Sequence, residues 1–161
     1  MVTVRETMME EWQVLRDIRL EALQDAPGAF GSTYEEQAAL GEAEWRRTIA
    51  QGGMFLAYVP EVSETEPAGL VCGYQERPGT VELMSLWVRP QARGDGVGEA
   101  LVAAVVDWAG ARKAASVHLW VFDTNEYARL LYERCGFRLT DECQPLPTNP
   151  EFTEIGMAYP L

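Results

Sequence analysis

The stretch that decides the fold runs from residue 81 to residue 105 and reads V-E-L-M-S-L-W-V-R-P-Q-A-R-G-D-G-V-G-E-A-L-V-A-A-V. Its apolar-rich start predicts a strand over Val81–Val88. A glycine-rich turn follows at 93–98, and apolar residues at helical spacing then predict a helix from about Gly98 to Lys113. Such a turn exposes backbone N–H groups at the positive end of the helix dipole, so it can bind an anion.

The spacing of the glycines narrows the choice of anion. A P-loop requires G-x-x-x-x-G-K-[ST], and here no lysine followed by serine or threonine is present. A dinucleotide site requires G-x-G-x-x-G, whereas Gly94, Gly96 and Gly98 form G-x-G-x-G. The turn by itself therefore leaves two interpretations, a tight connection without a ligand or a cradle for another phosphate.

The rest of the chain supplies strands and helices on both sides of this unit. Thr7 and Glu10 have capping-box spacing for a helix to about Gln24, and Trp45 and Ile49 predict a second helix with Gly41 as a break. Further strands are predicted at 2–5, Met54–Val59, Ala68–Gln75, Ser116–Phe122, Phe137–Thr140 and Thr153–Tyr159, and a further helix at Glu126–Arg134.

Loops are predicted where proline and glycine cluster, over Asp25–Thr33 and around Pro145, Pro147 and Pro150. The order of elements predicts one α/β domain over residues 1–161, with a mixed central sheet of about six to seven strands and flanking helices.

Composition and charge exclude several classes of partner. The net charge of -12 and the scattered lysines and arginines argue against nucleic-acid binding. The N-terminus lacks a signal-peptide apolar region, and the apolar run Leu101–Ala109 is too short for a membrane span, so we expect no membrane partner and a cytoplasmic location. The 3 cysteines and the single histidine show no zinc-ligand spacing, so no metal is expected.

The glycine turn and a second block together resemble a known family. Residues 93–98, R-G-D-G-V-G, match the [QR]-x-x-G-x-[GA] motif of the GNAT superfamily of N-acetyltransferases. Residues 121–137, V-F-D-T-N-E-Y-A-R-L-L-Y-E-R-C-G-F, resemble that family's N-x-x-A-x-x-x-Y-x-x-x-G-F segment. The resemblance is close over the strand-helix-strand-helix half of the chain, and it extends to the N-terminal half in element order. It implies a GNAT-like fold and an acetyl-CoA-dependent N-acetyltransferase.

The resemblance also implies where acetyl-CoA would bind. The pyrophosphate would lie on the backbone N–H groups of the turn, formed by Arg93, Gly94, Asp95, Gly96, Val97 and Gly98. The pantetheine arm would lie like an extra strand beside Leu86, Trp87 and Val88, exchanging backbone hydrogen bonds. Asn125 has two interpretations, a contact to the cofactor arm or the N-cap of the helix that follows it.

Acetyl transfer from a thioester to an amine needs a base, a donor to the developing oxyanion and an acid for the departing thiolate. The resemblance assigns the acid to Tyr132, whose alternative interpretation is a core tyrosine, and the oxyanion donor to the Val88 N–H. Glu82 is the candidate base, with an exposed glutamate at a strand start as its alternative. Strand alternation predicts two faces, one with Glu82, Met84 and Leu86 and the other with Leu83, Ser85 and Trp87.

We expect two other residues with reactive side chains to be structural. His118 is expected to be a partly buried strand residue, and Cys135 is expected to be a small buried thiol. The acceptor is expected to be a small-molecule or peptide amine, and Phe30, Tyr34 and Phe152 are candidates for the walls of its pocket. The resemblance is compatible with a homodimer. Two alternative functions stay open here, a non-catalytic acyl-CoA-binding or regulatory domain on the same fold, and a nucleotide-binding domain of another class.

Overall fold

The structure is a computed structural model that describes residues 1–27 and 30–161, so Gly28 and Ala29 of the predicted Asp25–Thr33 loop lie outside the described residues. Its helices are α1 (Trp12–Asp25), α2 (Tyr34–Ala38), α3 (Glu42–Ala50), α4 (Val97–Ala111) and α5 (Glu126–Arg134). Its strands are β1 (Thr3–Glu6), β2 (Met54–Tyr58), β3 (Gly69–Arg77), β4 (Thr80–Val88), β5 (Ser116–Phe122), β6 (Arg138–Leu146) and β7 (Asn149–Pro160). The predicted order of elements is confirmed, and Gly41 does separate two helices.

The strands form one 7-stranded mixed sheet in the order β1-β2-β3-β4-β5-β7-β6, which confirms the predicted fold class. Neighbouring strands run antiparallel except β4 and β5, which are parallel. These two strands pair from Thr80 to Glu82, opposite Ser116 to His118, and then separate. The remainder of β4 therefore lines a gap in the sheet, and this gap positions the site.

Helices cover both faces of the sheet. On one face, α4 packs Val97, Leu101 and Val105 against a core that also contains Tyr132 and Phe137. The opposite face is covered by α1 and α3, whose apolar side chains form a second core with the inward residues of β2 and β3. Burial of these faces is the main favourable term in the stability of the fold.

The predicted alternation along β4 is wrong beyond Met84, because the strand contains a bulge. Ser85 has a φ of 63°, and the register to β3 shifts between Leu70 and Cys72. An extra residue in one strand reverses the faces of all residues after it. Leu83 and Leu86 consequently pack in the same core as α4, whereas Trp87 packs in the core formed by α1 and α3.

The start of α1 also differs from the prediction, which used Thr7 and Glu10 as a capping box. The backbone N–H of Met8 donates to the Glu11 carboxylate at 2.9 Å, at the start of a short 3-10 turn over Met9–Glu11 that precedes α1, so the cap lies one residue later. Thr7 is buried, and its N–H donates to the Met54 carbonyl oxygen. Thr7, the residue predicted to cap the helix, is therefore held instead by a backbone hydrogen bond to the first residue of β2.

The predicted proline loop near residue 147 is instead a long hairpin. Strands β6 and β7 extend toward each other until Leu146 pairs with Asn149. Proline lacks a backbone N–H, but Pro145 lies on β6, the edge strand of the sheet, where one side of the backbone has no partner strand. Within residues 1–27 and 30–161, no helix combines the length and the apolar character that crossing a membrane requires.

Candidate active site

A cleft of about 600 Å³ opens where β4 and β5 separate. Its walls come from the end of β4, the glycine turn, the start of α4 and the inner side of α5. Of the residues that the sequence singled out, the cleft is lined by Leu86, Val88, Arg93, Gly94, Gly96, Val97, Gly98, Asn125 and Tyr132. The structure therefore brings both sequence blocks that carry the family resemblance, the glycine turn and the block that contains α5, to one cavity.

The glycine turn presents free backbone donors to this cleft. Gly94 and Gly96 have φ values of 88° and 82°, a left-handed conformation that favours glycine, and a Cβ at either residue would meet nothing within 4 Å. Gly96 is the N-cap of α4 and has no side-chain cap, so the first N–H groups of the helix lack a partner from the cap residue. The open space and the unused donors together fit a phosphate group. Asp95 is exposed and lies outside the cleft lining.

The backbone of β4 also offers hydrogen bonds toward the gap. The Arg89 N–H donates to Ala68 beside β3 at 2.7 Å. Because N–H directions alternate along a strand, the Val88 N–H points away from β3, toward the gap that β5 has left. The Leu86 N–H shares this direction. An extended ligand could therefore pair with β4 as an additional strand.

The Arg93 side chain hydrogen-bonds to other residues of the protein, and these bonds hold the glycine turn in place. Its Nε donates to the Val88 carbonyl oxygen at 2.9 Å, and one Nη donates to Asp25 at 3.0 Å. The same Asp25 oxygen accepts from the Trp87 indole N–H at 2.9 Å. The hydrogen bond from Trp87, followed by that from Arg93, lowers the pKa of Asp25. The sequence offered no signal for Asp25, which stood only at the edge of a predicted loop.

Tyr132 on α5 is buried against Phe137 while it lines the cleft. Burial is the main cause that raises the pKa of its hydroxyl, and the neighbouring Cys135 adds to the effect. The hydroxyl is protonated at neutral pH, as that of an ordinary tyrosine is, and burial further disfavours the phenolate.

Asn125 forms the N-cap of α5, because its side-chain oxygen accepts from the Ala128 N–H at 3.1 Å. The residue also lines the cleft, and its amide NH₂ group is not used by the cap. The two interpretations from the sequence are therefore compatible, since one side chain can cap the helix with its oxygen and donate to the cleft with its nitrogen.

Glu82 lies at the last residue pair before β4 and β5 separate, opposite His118. Its two carboxylate oxygens lie 2.7 and 3.0 Å from His118 Nδ1. On the other side of the ring, Nε2 lies 2.8 Å from a Glu142 oxygen. Glu82 therefore does not line the cleft; it lies at the apex of the gap and belongs to a polar cluster on the sheet.

The regions expected to hold the acceptor lie next to each other. The Thr148 hydroxyl donates to the Phe30 carbonyl oxygen at 3.4 Å, which connects the segment after α1 to the turn between β6 and β7. Phe30 itself is buried, and Tyr34 is half-buried against the same core. Phe152 remains 47% exposed and contacts the edge of the Phe122 ring.

Across the described part of the chain, no group of three or more His, Cys, Asp and Glu side chains is arranged to hold a metal ion.

A glycine turn at a helix start, a gap between two parallel strands and a tyrosine in the lining of the same cleft are consistent with the family resemblance of the sequence. The model of the acetyltransferase (GNAT) family matches residues 12–137. The chain belongs to the GNAT acetyltransferase family. The match includes the glycine turn and all of α5, so it covers most of the cleft lining.

Similar proteins support the same family. The mycothiol acetyltransferase of Salinispora arenicola is 41% identical over 81 residues, which are 45% of this chain and 26% of that protein. The corresponding protein of Salinispora tropica is 38% identical over 81 residues. The chain therefore spans about a quarter of the length of these curated GNAT relatives.

Solved structures show the same fold at low identity. A GNAT-family acetyltransferase from Streptococcus pneumoniae has a TM-score of 0.80 at 19% identity and covers 100% of this chain and 99% of its own. The PaiA N-acetyltransferase from Thermoplasma acidophilum, solved in complex with coenzyme A, has a TM-score of 0.74 at 13% identity, with coverage of 100% and 99%. At such identities the similarity establishes the GNAT fold.

Proposed function

We propose that this chain is an acetyl-CoA-dependent N-acetyltransferase that transfers the acetyl group directly to a primary amine in a ternary complex. The observation that carries the proposal is the position of Tyr132, a buried proton donor in the cleft that the glycine turn and the free edge of β4 also line. When bound, acetyl-CoA would supply a thioester whose acetyl group is activated toward attack by an amine.

The cleft supports binding of acetyl-CoA by its backbone donors. The unused N–H groups at the start of α4 would hold the pyrophosphate, in a turn that includes Gly94, Asp95 and Gly96. The N–H groups of Leu86 and Val88 face the gap and would pair with the pantetheine arm, and the Val88 N–H would also stabilise the developing oxyanion. The net charge of -12 does not oppose this, because exposed charges are screened beyond about 8 to 10 Å.

Proton transfer is assigned to two residues. Tyr132 donates a proton to the departing thiolate, because it is a phenol, protonated at neutral pH, in the lining of the cleft that would hold the thioester. Glu82 accepts the proton of the amine through a water molecule, because the carboxylate lies at the apex of the gap between β4 and β5. Acetyl-CoA would therefore enter from the open end of the gap, and the amine would approach the thioester near the apex of the gap.

A screen for turnover tests this proposal. The protein is incubated with acetyl-CoA and a panel of small amines, polyamines, amino-terminal peptides and lysine peptides, and free thiol is measured as it forms. Transfer is confirmed by mass spectrometry of the acetylated amine. The proposal predicts turnover of at least one amine class, linear in enzyme concentration and absent without an acceptor.

Two outcomes would contradict the proposal. If acetyl-CoA raises the unfolding temperature but no amine is acetylated, a non-catalytic acyl-CoA-binding domain explains the fold better. If ATP or NAD stabilises the protein and acetyl-CoA does not, the cleft serves a nucleotide of another class. Substitution of Tyr132 by phenylalanine and of Glu82 by glutamine distinguishes catalysis from binding, because both variants keep the backbone donors.

The acceptor itself is proposed to be a small-molecule or peptide amine. Acetyl transfer is supported by the similarity to the Salinispora mycothiol acetyltransferases, of which the matched segment is 26% of the length. We further propose that residues 1–161 act as one acetyltransferase domain in the cytoplasm, without a nucleic-acid or membrane partner. The resemblance to the family is also compatible with a homodimer, and light scattering tests this oligomeric state.

A further inference from the structure

His118 joins two carboxylates that come from distant strands. Glu82 on β4 lies against Nδ1 at 2.7 Å, and Glu142 on β6 lies against Nε2 at 2.8 Å. The side chain of His118 is 7% exposed, compared with 22% for Glu82 and 49% for Glu142. The cluster therefore runs from the apex of the gap, through a buried ring, to a carboxylate that reaches solvent.

The cluster depends on a glycine. Strand β7 lies between β5 and β6, so Glu142 must reach over β7 to contact His118. It does so at Gly156, where a Cβ would lie 2.9 Å from a Glu142 oxygen and 3.0 Å from His118 Nε2. The Thr140 hydroxyl donates to the same Glu142 oxygen at 3.0 Å and holds the carboxylate in place. The absence of a side chain at Gly156 therefore allows Glu142 to contact His118 across β7.

The arrangement requires a charged ring. A neutral imidazole carries one N–H and one lone pair, so it can donate to only one of the two carboxylates. The imidazolium form donates to both, and the hydrogen bond to Glu82 is the main cause that raises the pKa of His118, with Glu142 adding to it. Trp120 packs against the ring edge. The charge of Arg77 also helps to lower the pKa of Glu142, after the hydrogen bonds from His118 and Thr140.

We propose that His118 is a positioning residue for acetyl transfer, which as an imidazolium holds the Glu82 carboxylate at the apex of the gap while Glu142 fixes the far side of its ring. This inference rests on the proposed function. Both Glu82 oxygens contact Nδ1, but a carboxylate has about four acceptor sites, so lone pairs remain for the water that carries the amine proton. Without the imidazolium, this partly exposed side chain is free to rotate.

The single histidine of the chain allows a direct test by NMR, because one imidazole signal reports its titration. We expect the midpoint of His118 in the wild-type protein above the ordinary 6.5. Glu142→Gln removes one of the two charges and lowers the midpoint. Asp141→Asn is the matched control, since this exposed neighbour loses the same charge without a contact to the ring.

Kinetics test the link to transfer. If the charged ring positions Glu82, wild-type kcat/KM for the amine declines at high pH with the midpoint that NMR gives for His118. Glu142→Gln moves this decline to lower pH, and Asp141→Asn leaves it in place. His118→Leu lowers kcat at least tenfold with unchanged affinity for acetyl-CoA, and His118→Asn, which can still donate to Glu82, recovers part of the loss and lacks the pH-dependent decline.

The outcomes separate the two proposals. Wild-type protein that binds acetyl-CoA but acetylates no amine overturns the proposed function and with it the role of His118. An active wild type, together with a His118→Leu variant of unchanged kcat and pH profile, overturns the role of His118 alone. A histidine midpoint at or below 6.5 also overturns it. Circular dichroism and acetyl-CoA affinity show whether each variant is folded. If His118→Leu does not fold, the kinetics of His118→Asn test the role of His118.

Discussion

The guanidinium of Arg93 lies 3.0 Å from the carboxylate of Asp25, and this contact connects the glycine turn to the end of α1. The same carboxylate oxygen accepts the Trp87 indole hydrogen. The Asp25 side chain thus joins the end of α1, the end of β4 that lines the gap and the proposed pyrophosphate site.

Asp25→Ala removes both contacts. We expect a loss of about 1 kcal/mol, since two hydrogen bonds to a charged group disappear at a partly exposed site, and this corresponds to a decrease in Tm of about 2 to 4 °C. Acetyl-CoA binding weakens as well, because Arg93 is less well fixed. Thermal unfolding and calorimetric titration measure both effects. Asp17→Asn, which breaks an exposed ion pair with Arg16, is the control and changes neither value appreciably.

The contribution of Asp25 also depends on pH. Because its pKa is lowered from the ordinary 3.8, its stabilising effect is present above that value and is lost as the pH falls through the lowered pKa. The difference in Tm between the wild type and Asp25→Ala therefore decreases below about pH 4. A difference that grows in acid would contradict the assigned contacts.

Gly96→Ala is expected to weaken acetyl-CoA binding. The residue has a φ of 82°, so an alanine costs about 1 to 2 kcal/mol of strain or shifts the first turn of α4. Gly79→Ala is a matched control, with a φ of 83° and equally open surroundings in the β3–β4 hairpin. Both variants lose similar stability in thermal unfolding, and only Gly96→Ala loses affinity for acetyl-CoA. Equal affinities would contradict the proposed pyrophosphate site.

Tyr132→Phe is expected to lower kcat by about 100-fold or more, because a general acid contributes 10² to 10⁴. The phenylalanine ring preserves packing against Phe137, so acetyl-CoA affinity and Tm change little. Tyr58→Phe provides the control, since it removes a buried tyrosine hydroxyl that contacts Arg5 outside the cleft. Steady-state rates that are equal for wild type and Tyr132→Phe would remove Tyr132 from the mechanism.

Gly156→Ala is expected to disrupt the His118 cluster. Its Cβ would lie 2.6 Å from the Thr140 hydroxyl and 2.9 Å from the Glu142 carboxylate, so the carboxylate must move. We expect a loss of about 2 kcal/mol from overpacking and a lower histidine midpoint by NMR. The control is Gly110→Ala, a helical site with nothing within 4 Å, which should stabilise the protein by about 0.5 kcal/mol. An unchanged midpoint in Gly156→Ala would show that the crossing over β7 does not matter.

The charged form of His118 makes stability depend on pH with the opposite sign from Asp25. Its pKa is raised above 6.5, so its stabilising effect is complete below that value and is lost as the pH rises through the raised pKa. His118→Asn should therefore lower Tm more at pH 6 than at pH 9. Asp141→Asn should give the same small difference at both values of pH.

Several features of the site were predictable because they depend on neighbours in sequence. The glycine turn, the helix that follows it and the block from Asn125 to Phe137 carry local signals of backbone conformation and helical spacing. Other features were not predictable. The bulge at Ser85 reversed the expected faces of β4, since nothing in the local pattern marks an extra residue.

Long-range partners show the same limit. Asp25 and Arg93 are 68 residues apart, and His118 and Glu82 are 36 residues apart. Neither His118 nor Asp25 carries a local sequence signal of its contacts, because these contacts depend on which strands and helices lie side by side.

The sequence by itself determined the order of strands and helices, the glycine turn at the start of α4 and the family to which the chain belongs. These follow from periodicity and from short motifs, which act over a few residues. Only the tertiary structure decided that β4 and β5 separate after Glu82, and that Glu142 crosses β7 at Gly156 to reach His118. The physical reason is that strand order and register bring together residues far apart in the chain, and these contacts set the burial and charge of the site.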